Sequence, residues 1–322
     1  MRLRKQLRFL AMALISLLIG ACAQSPKLDK DIDSLPRYVA LDEVPFFPQA
    51  DYQCGPAALA TTLVHRGVKV TPDELVPKVY LPSRQGSLQL EMVAAARSYE
   101  SLVYPLEPKL SALFKEVAAG NPVLILQNLS LKIMPMWHFA VVVGYDLDKE
   151  RVLMRSGTEK EQWLELKAFD KTWARSERWA IVTMAPDTLP ATARPEVWLQ
   201  AASDLEQVGK TQAAATAYQT ATTHWPNEGH AWFAYANQQY AKGDKQAAAV
   251  SMRRAIEVTP TLAPAWYNFA WINAEAGCHS AAQIAQRCAQ QLAPEDARFT
   301  KALPKAGSQS CEAAPSCPAL TK

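Results

Sequence analysis

A cysteine and a distant histidine stand in sequence contexts that suit nucleophilic chemistry. Cys54 follows a polar, turn-prone stretch and opens an apolar, alanine-rich run that predicts a helix. His138 lies far downstream, at the head of the strand-like run Trp-His-Phe-Ala-Val-Val-Val-Gly-Tyr-Asp. Backbone N–H groups and the helix dipole at a helix start lower the pKa of a thiol, and the same groups can bind an oxyanion. The pair therefore indicates a thiolate–imidazolium nucleophile.

Each of these residues also has a commoner structural interpretation. A single cysteine at a helix start is usually a small buried apolar side chain, and a single histidine at a strand start usually has a packing role. The catalytic interpretation is favoured because both occur together, with Gln49 upstream of the cysteine.

Residues 40–187 carry the elements that must position this pair. Helical signals come first, and Thr71 followed by Pro72 marks a helix start. Apolar and alternating runs that predict strands follow. The strand predictions cover residues 123–127, 138–145, 151–154, 162–166 and 179–184. The sequence thus predicts an α+β domain with the cysteine in its helical half and the histidine in an antiparallel sheet.

The chain repeats itself after a Pro-rich linker at residues 188–195. With 322 residues and 49% hydrophobic residues, it is long enough for two packed domains. Tryptophan, glycine, two alanines and proline recur at a period of 34 over residues 196–297, beginning with Trp198, Trp232 and Trp266. This pattern is similar to the tetratricopeptide repeat, which implies three helical pairs in an all-α solenoid. Such a stack commonly holds a peptide or a protein partner.

The N-terminal half resembles a known peptidase family. Gln…Cys-Gly-Pro-Ala, followed by the strand-borne Trp-His-Phe-Ala-Val-Val-Val-Gly-Tyr-Asp, looks like the papain-like bacteriocin-leader peptidases, which cut after a double glycine. The resemblance covers residues 40–187 and not the repeats. It implies a papain-like α+β fold with Cys54 as nucleophile and His138 as general base and acid. It also implies that Gln49 and the Cys54 N–H group bind the oxyanion.

Two positions depart from the family pattern. The family places its glutamine six residues before the cysteine, whereas Gln49 is five before it, and Gln53 is closer still. Gln49 is favoured because Gln53 joins the helix start. Ser156 stands where the family has an aspartate; it can orient the imidazole but cannot stabilise its charge. Asp146 and Asp148 are close in sequence, but we interpret them as turn residues between two strands.

Two neighbours of these residues allow alternative interpretations. Arg155 either binds a substrate carboxylate or is a solvated strand residue, and the second is favoured. Trp137 either packs beside His138 or lies in the core.

The N-terminus predicts a lipid anchor rather than a membrane span. Residues 1–21 combine four basic residues with a short apolar run and end in Leu-Ile-Gly-Ala before Cys22, which resembles a bacterial lipobox. An ordinary signal peptide is the alternative. A lipidated Cys22 followed by Ala23 implies a periplasm-facing lipoprotein of the outer membrane, with residues 22–39 as a tether.

Charge and cysteine content limit the other classes of ligand. Removal of residues 1–21 lowers the basic count from 34 to 30 against 31 acidic residues, so nucleic acid is not an expected partner. Four cysteines gather near the end: Cys278, Cys288, Cys311 and Cys317. They allow three disulfide pairings, and no metal or other cofactor is expected. Residues 298–322 are expected to form a disordered tail.

The leading hypothesis is a lipid-anchored cysteine peptidase that acts on a peptide or protein recruited by the repeats. The second is a binding lipoprotein on a degenerate peptidase fold, which Ser156 favours. A third is a peptidoglycan amidase on the same fold, which Gly55 and Pro56 argue against.

Overall fold

An antiparallel sheet lies at the centre of the N-terminal half of the chain. The computed structural model describes residues 30–49, 52–305 and 311–319. The predicted signal peptide, Cys22 and the first part of the tether lie outside these residues. Within the described ranges, no helix combines the length and hydrophobicity needed to cross a membrane.

The sheet contains seven strands among the described residues, and all of its pairings are antiparallel. The strands are β1 (Tyr38–Ala40), β2 (Leu102–Pro105), β3 (Val123–Asn128), β4 (Trp137–Asp146), β5 (Arg151–Ser156), β6 (Glu159–Glu165) and β7 (Ala180–Met184). Their order is β2-β7-β3-β4-β5-β6, and β1 pairs with the far end of β4. The predicted α+β domain with an antiparallel sheet is confirmed.

Helices cover both faces of this sheet. They are α1 (Cys54–His65), α2 (Pro72–Val79), α3 (Gln89–Ser98), α4 (Leu110–Ala118) and α5 (Leu166–Ala174). On β4, Phe139 and Val141 pack with α1 to α3, whereas Ala140 and Val142 join the cluster that holds α4 and α5. Because both faces are buried, β3 and β4 are apolar at nearly every position.

The repeat region forms three consecutive helical pairs. The pairs are α6 (Pro195–Gln207) with α7 (Thr211–His224), α8 (Gly229–Ala241) with α9 (Lys245–Val258), and α10 (Ala263–Glu275) with α11 (His279–Leu292). Gly209, Gly243 and Gly277 follow the first helix of each pair with φ of +79°, +86° and +79°. Side chains with a Cβ are strained at these angles, which explains why glycine recurs there. The assignment to tetratricopeptide repeats stays a prediction.

The linker is docked between the two halves. Thr192 and Ala191 donate hydrogen bonds to the carboxylate of Glu116, which is fully buried in α4. Trp198 of α6 is also fully buried, in the same cluster as Tyr104 of β2. Arg97 of α3 forms an ion pair with Asp204 of α6. The two halves therefore share one apolar core.

The described part of the C-terminal segment differs from the expected disordered tail. Phe299 is 2% exposed and its ring lies 5.1 Å from that of Tyr267. Two disulfides, Cys278–Cys311 and Cys288–Cys317, then tie the segment to the last helical pair. Composition alone does not reveal this order, because the segment is held by two disulfides and an aromatic contact and not by a continuous run of apolar residues.

Loss of one of these disulfides is expected to weaken the repeat region. The double variant Cys288→Ser/Cys317→Ser should lower the free energy of unfolding by about 3.5 kcal/mol, since the unfolded chain regains the freedom of a loop of about thirty residues. Urea unfolding of this variant and of the wild type measures the difference. An unchanged midpoint, with the wild-type disulfide verified by mass, would contradict the expectation.

Candidate active site

Cys54 is the first residue of α1. It is 9% exposed and is the free cysteine among the described residues. The next residue, Gly55, lies against Ser87: a Cβ on Gly55 would fall 2.2 Å from Ser87 Oγ. A glycine is therefore required at the position that lets the segment before α3 approach the candidate nucleophile.

His138 meets Ser156 across the end of the sheet. The histidine is the second residue of β4, Ser156 is the last of β5, and their Nε2 and Oγ atoms are 2.9 Å apart. When Nε2 carries the proton, it donates to the serine oxygen and leaves Nδ1 as the base. Ser156 is 8% exposed, so this hydrogen bond is protected from water.

The cysteine lies against the residue that follows His138. The backbone N–H groups of Phe139, Gly55 and Cys54 itself lie near the thiol sulfur and lower its pKa. None of the hydrogen bonds among the described residues joins the sulfur directly to the imidazole. The structure thus brings Cys54, His138 and Ser156 close together. The N–H group of Phe139 lies near the sulfur, and His138 is hydrogen-bonded to Ser156.

Burial controls the protonation of both groups. It raises the pKa of the Cys54 thiol, and this effect exceeds the lowering by the three backbone N–H groups. Burial also lowers the pKa of His138. The expected net decrease in the thiol pKa is therefore not found, because the helix start acts in the predicted direction but desolvation is larger. A neutral thiol beside a neutral imidazole is the resting state that follows.

Alkylation of Cys54 by iodoacetamide should reflect this state. Because the pKa of the thiol is raised, the rate should increase only above the pH at which an ordinary cysteine ionises, about 8.5. Rates measured from about pH 5 to about pH 10, with peptide mapping to follow Cys54 alone, test this expectation. A midpoint well below that of an ordinary cysteine would instead establish a preformed ion pair.

Gln49 lies in the same small pocket as the cysteine. This pocket is lined by Gln49, Cys54, Phe139, Arg155 and Ser156 among others. The backbone N–H of Gln49 donates to the carbonyl of Gly157 at 3.1 Å, which joins the segment before α1 to the turn after β5. The glutamine is thus close enough to the site for the oxyanion role to remain its best interpretation.

Arg155 is not the solvated strand residue that the sequence suggests. It is 4% exposed, and its guanidinium donates to the carbonyl oxygens of Lys160, Leu41 and Val44 at 2.6, 3.4 and 3.5 Å. Burial lowers its pKa. Arg155 therefore fastens the segment that leads to Gln49 onto the β5–β6 hairpin. The only indication in the sequence that Arg155 is buried is its place in a strand that is covered on both faces.

Trp137 and the loop before it form an apolar rim. Trp137 is 52% exposed, so the core interpretation is wrong. In the loop at residues 129–136, Asn128 Oδ1 accepts from the N–H groups of Ser130 and Met136, which holds the loop in a fixed shape. The loop exposes several large apolar side chains, namely Leu129, Leu131, Ile133, Met134 and Met136. Sequence reasoning missed this rim, although six consecutive residues of mostly apolar character precede Trp137.

No cluster of three or more His, Cys, Asp or Glu side chains that could hold a metal ion occurs in the described part of the chain. The groups brought together here can carry out acyl transfer: a thiol, an imidazole that can take its proton, and N–H groups near the sulfur.

Residues 41–181 match the Peptidase_C39 like family. The matched region contains Gln49, Cys54, His138 and Ser156, and it ends before the helical pairs. This match supports a cysteine peptidase activity in general terms. No curated protein matches the chain.

Solved structures similar to this chain include several such peptidases. A putative C39-like peptidase from Bacillus anthracis is 20% identical, with 46% of this chain and 97% of that chain covered and a TM-score of 0.40. The peptidase domain of Streptococcus ComA, a bi-functional ABC transporter involved in quorum sensing, is 21% identical over 44% and 99%, with a TM-score of 0.35. A double glycine motif protease from an AMS/PCAT transporter, in complex with its leader peptide, is 20% identical over 44% and 90%, with a TM-score of 0.32.

Proposed function

We propose that the chain is a lipid-anchored cysteine peptidase of the bacterial envelope. The observation that carries this proposal is the Nε2–Oγ hydrogen bond between His138 and Ser156 beside a free thiol at a helix start. All of these residues lie in the region that matches the Peptidase_C39 like family.

The first half of the reaction forms a thioester. Cys54 Sγ attacks the peptide carbonyl carbon while His138 takes the thiol proton, so that no preformed ion pair is needed. The oxyanion receives hydrogen bonds from the Cys54 N–H group and the Gln49 side-chain amide. The C–N bond then breaks, and the imidazolium gives its proton to the leaving amine.

The second half restores the enzyme. His138 accepts a proton from a water molecule as its oxygen attacks the thioester carbonyl. The C–S bond breaks, the thiolate recovers a proton from the imidazolium, and the carboxylic acid product leaves.

Ser156 acts as a positioning residue for His138. Ser156→Ala removes a buried hydrogen bond worth about 1.4 kcal/mol, so kcat should fall about tenfold with KM little changed. Ser156→Asp places a negative charge at the imidazole, which should raise the pKa of His138 and move the acid limb of the pH–rate profile to higher pH. If Ser156→Ala leaves kcat intact, the serine has no part in the reaction.

Cleavage of a peptide library tests the function as a whole. A library prepared by digesting envelope proteins is incubated with the wild type and with Cys54→Ala, and new termini are identified by mass spectrometry. Termini that appear only with the wild type support the peptidase. Retention of peptides by both proteins without new termini would support the second hypothesis, a non-catalytic binding lipoprotein, which the absence of an acidic group at Ser156 favours.

In this proposal the lipid anchor fixes the location of the protein and the repeats bring the substrate. Cys22 would carry the lipid that places the domain on the periplasmic side of the outer membrane. The three helical pairs would recruit a protein substrate or partner. Double-glycine specificity is not included, because nothing in the chain beyond the family resemblance supports it.

A further inference from the structure

The apolar rim is the tip of a hairpin that extends beyond the sheet. The backbone N–H of Leu129 donates to the carbonyl of Met136 at 2.9 Å, and that of Met134 donates to the carbonyl of Leu131 at 3.2 Å. These bonds continue the pairing of β3 with β4 and close a β-turn at the end of the hairpin. Together with the Asn128 side chain at its base, they give the rim a defined shape.

The rim concentrates the exposed apolar side chains of the molecule. Thirteen large apolar side chains are exposed among the described residues, and six of them lie at positions 129–137. Ile133, in the turn, is 89% exposed, and Met134 beside it is 72% exposed. Lys132 is the only charged residue in this stretch of sequence. Such a patch marks a surface that contacts an apolar partner.

The side chains of the rim match the interface of a lipid bilayer better than a protein surface. Aliphatic and methionine side chains stand at the tip, Lys132 brings a positive charge for anionic headgroups, and Trp137 lies at the base. A protein partner is normally held by hydrogen bonds as well as by apolar contacts. Positions 131–136 offer Lys132 as their only polar side chain.

The proposed lipid on Cys22 keeps this hairpin close to a bilayer. Lys30, where the described chain begins, follows Cys22 by eight positions, so the two are at most about 28 Å apart. Ile32 is already part of the core, and Asp31 pairs with Lys115 at 2.9 Å. A domain held this close to lipid has a high effective concentration of it, and a weak contact is then sufficient.

The anchor and the rim lie toward opposite ends of the sheet, which fixes the orientation that both require. β1 pairs with residues 144–146 at the end of β4, whereas the rim precedes Trp137 at its start. The length of β4 is about 30 Å. Both contacts can therefore form only when β4 is inclined along the bilayer. His138, the second residue of β4, then lies near the headgroups.

We propose that the rim inserts its apolar tip into the membrane leaflet that holds the lipid of Cys22. The inference rests on the lipid anchor of the proposed function and adds a second contact with the same bilayer. Two weak membrane contacts on one chain hold a protein more firmly than either alone. The candidate active site then works at the bilayer surface, and its substrates are peptides that reach this surface.

Vesicle binding by the lipid-free protein tests the assignment. The chain from Ala23 onward lacks the signal peptide and the lipid but contains every described residue. It is mixed with vesicles of phosphatidylethanolamine and phosphatidylglycerol, and the bound fraction is measured by sedimentation. The measurement is repeated with Ile133→Ser/Met134→Ser. The control is Val250→Ser/Ile284→Ser, which removes exposed apolar side chains on α9 and α11.

We expect the wild type and the control to bind equally. Ile133→Ser/Met134→Ser should weaken binding by about tenfold or more, because two apolar side chains no longer leave water. No binding by the wild type, or equal losses in the two double variants, would overturn the assignment. A wild-type dimer in sedimentation velocity that the rim variant abolishes would also overturn it, since a second copy would then cover the rim.

Peptide cleavage distinguishes this inference from the proposed function. Ile133→Ser/Met134→Ser should cut a soluble peptide as fast as the wild type, because neither side chain lines the pocket at Cys54. Slower cleavage with unchanged vesicle binding would mean that the rim holds the peptide, and would overturn the membrane assignment. Vesicle binding that depends on the rim, without cleavage by the wild type, would overturn the peptidase and support the membrane contact.

Discussion

Replacement of Cys54 or His138 by alanine is expected to lower kcat/KM for a cleaved peptide by about 10³–10⁵-fold. The thiol supplies the electron pair that forms the thioester, and the imidazole moves its proton, so neither group works without the other. The double variant should consequently have about the same kcat/KM as the less active of the two single variants. Steady-state rates on one peptide from the library, measured for all three proteins, test this non-additivity.

His65→Ala is a matched control for this comparison. His65 lies at the other end of α1 from Cys54, and its Nε2 is 3.1 Å from the carbonyl oxygen of Gly120, outside the site. Its loss should leave kcat nearly unchanged. If the losses in the two single variants instead multiply in the double variant, Cys54 and His138 act independently and the proposed proton transfer is wrong.

Glu116→Ala is expected to produce the largest loss of stability among single substitutions in the linker contact. The buried carboxylate accepts from the Asn121 side chain, from the N–H groups of Ala191 and Thr192, and from the Thr192 hydroxyl. Alanine would remove all four hydrogen bonds and leave the buried Asn121 side-chain amide without its acceptor. The free energy of unfolding should fall by about 3 kcal/mol, which urea denaturation can measure.

Glu107→Ala provides the comparison. Glu107 also contacts the linker, through an ion pair with Arg194, but its side chain is 41% exposed and water can replace the contact. Its loss should change stability little. Equal effects of the two substitutions would mean that the buried carboxylate does not hold the linker.

Local signals in the sequence were sufficient for most helices and for the central strands. The α1 prediction from Cys54 to His65 agrees with the structure, and Thr71 forms the capping box with Glu74 that its position before Pro72 suggests. The 34-residue period predicts helices of equal spacing, which begin at Pro195, Gly229 and Ala263. Such features depend on neighbours within one or two turns, and pattern analysis therefore detects them.

Features that depend on distant contacts were not predictable in the same way. The short strands β1 and β2 carry too few residues for a periodic signal, and their pairing with β4 and β7 is set by the tertiary fold. The burial of Arg155 depends on carbonyl groups at Leu41 and Val44, more than a hundred positions earlier. The protonation of Cys54 depends on the sum of desolvation and three N–H groups, which only coordinates provide.

One short helix, α5, could have been predicted from the sequence. Leu166, Phe169 and Trp173 of α5 are buried and spaced for one helical face. The preceding alternation, which predicts β6, continues into Leu166 and obscures this spacing.

The apolar core that the two halves share has a consequence for how the chain can be divided and synthesised. Trp198, Ala202 and Leu205 of α6 cover side chains such as Leu102 and Tyr104 on the sheet. A fragment that ends near residue 187, the boundary of the family resemblance, would lack this cover and expose a patch of the kind that promotes aggregation. During translation, likewise, the N-terminal domain stays incomplete until α6 has emerged from the ribosome. The unit that folds is therefore longer than the unit that the sequence pattern defines.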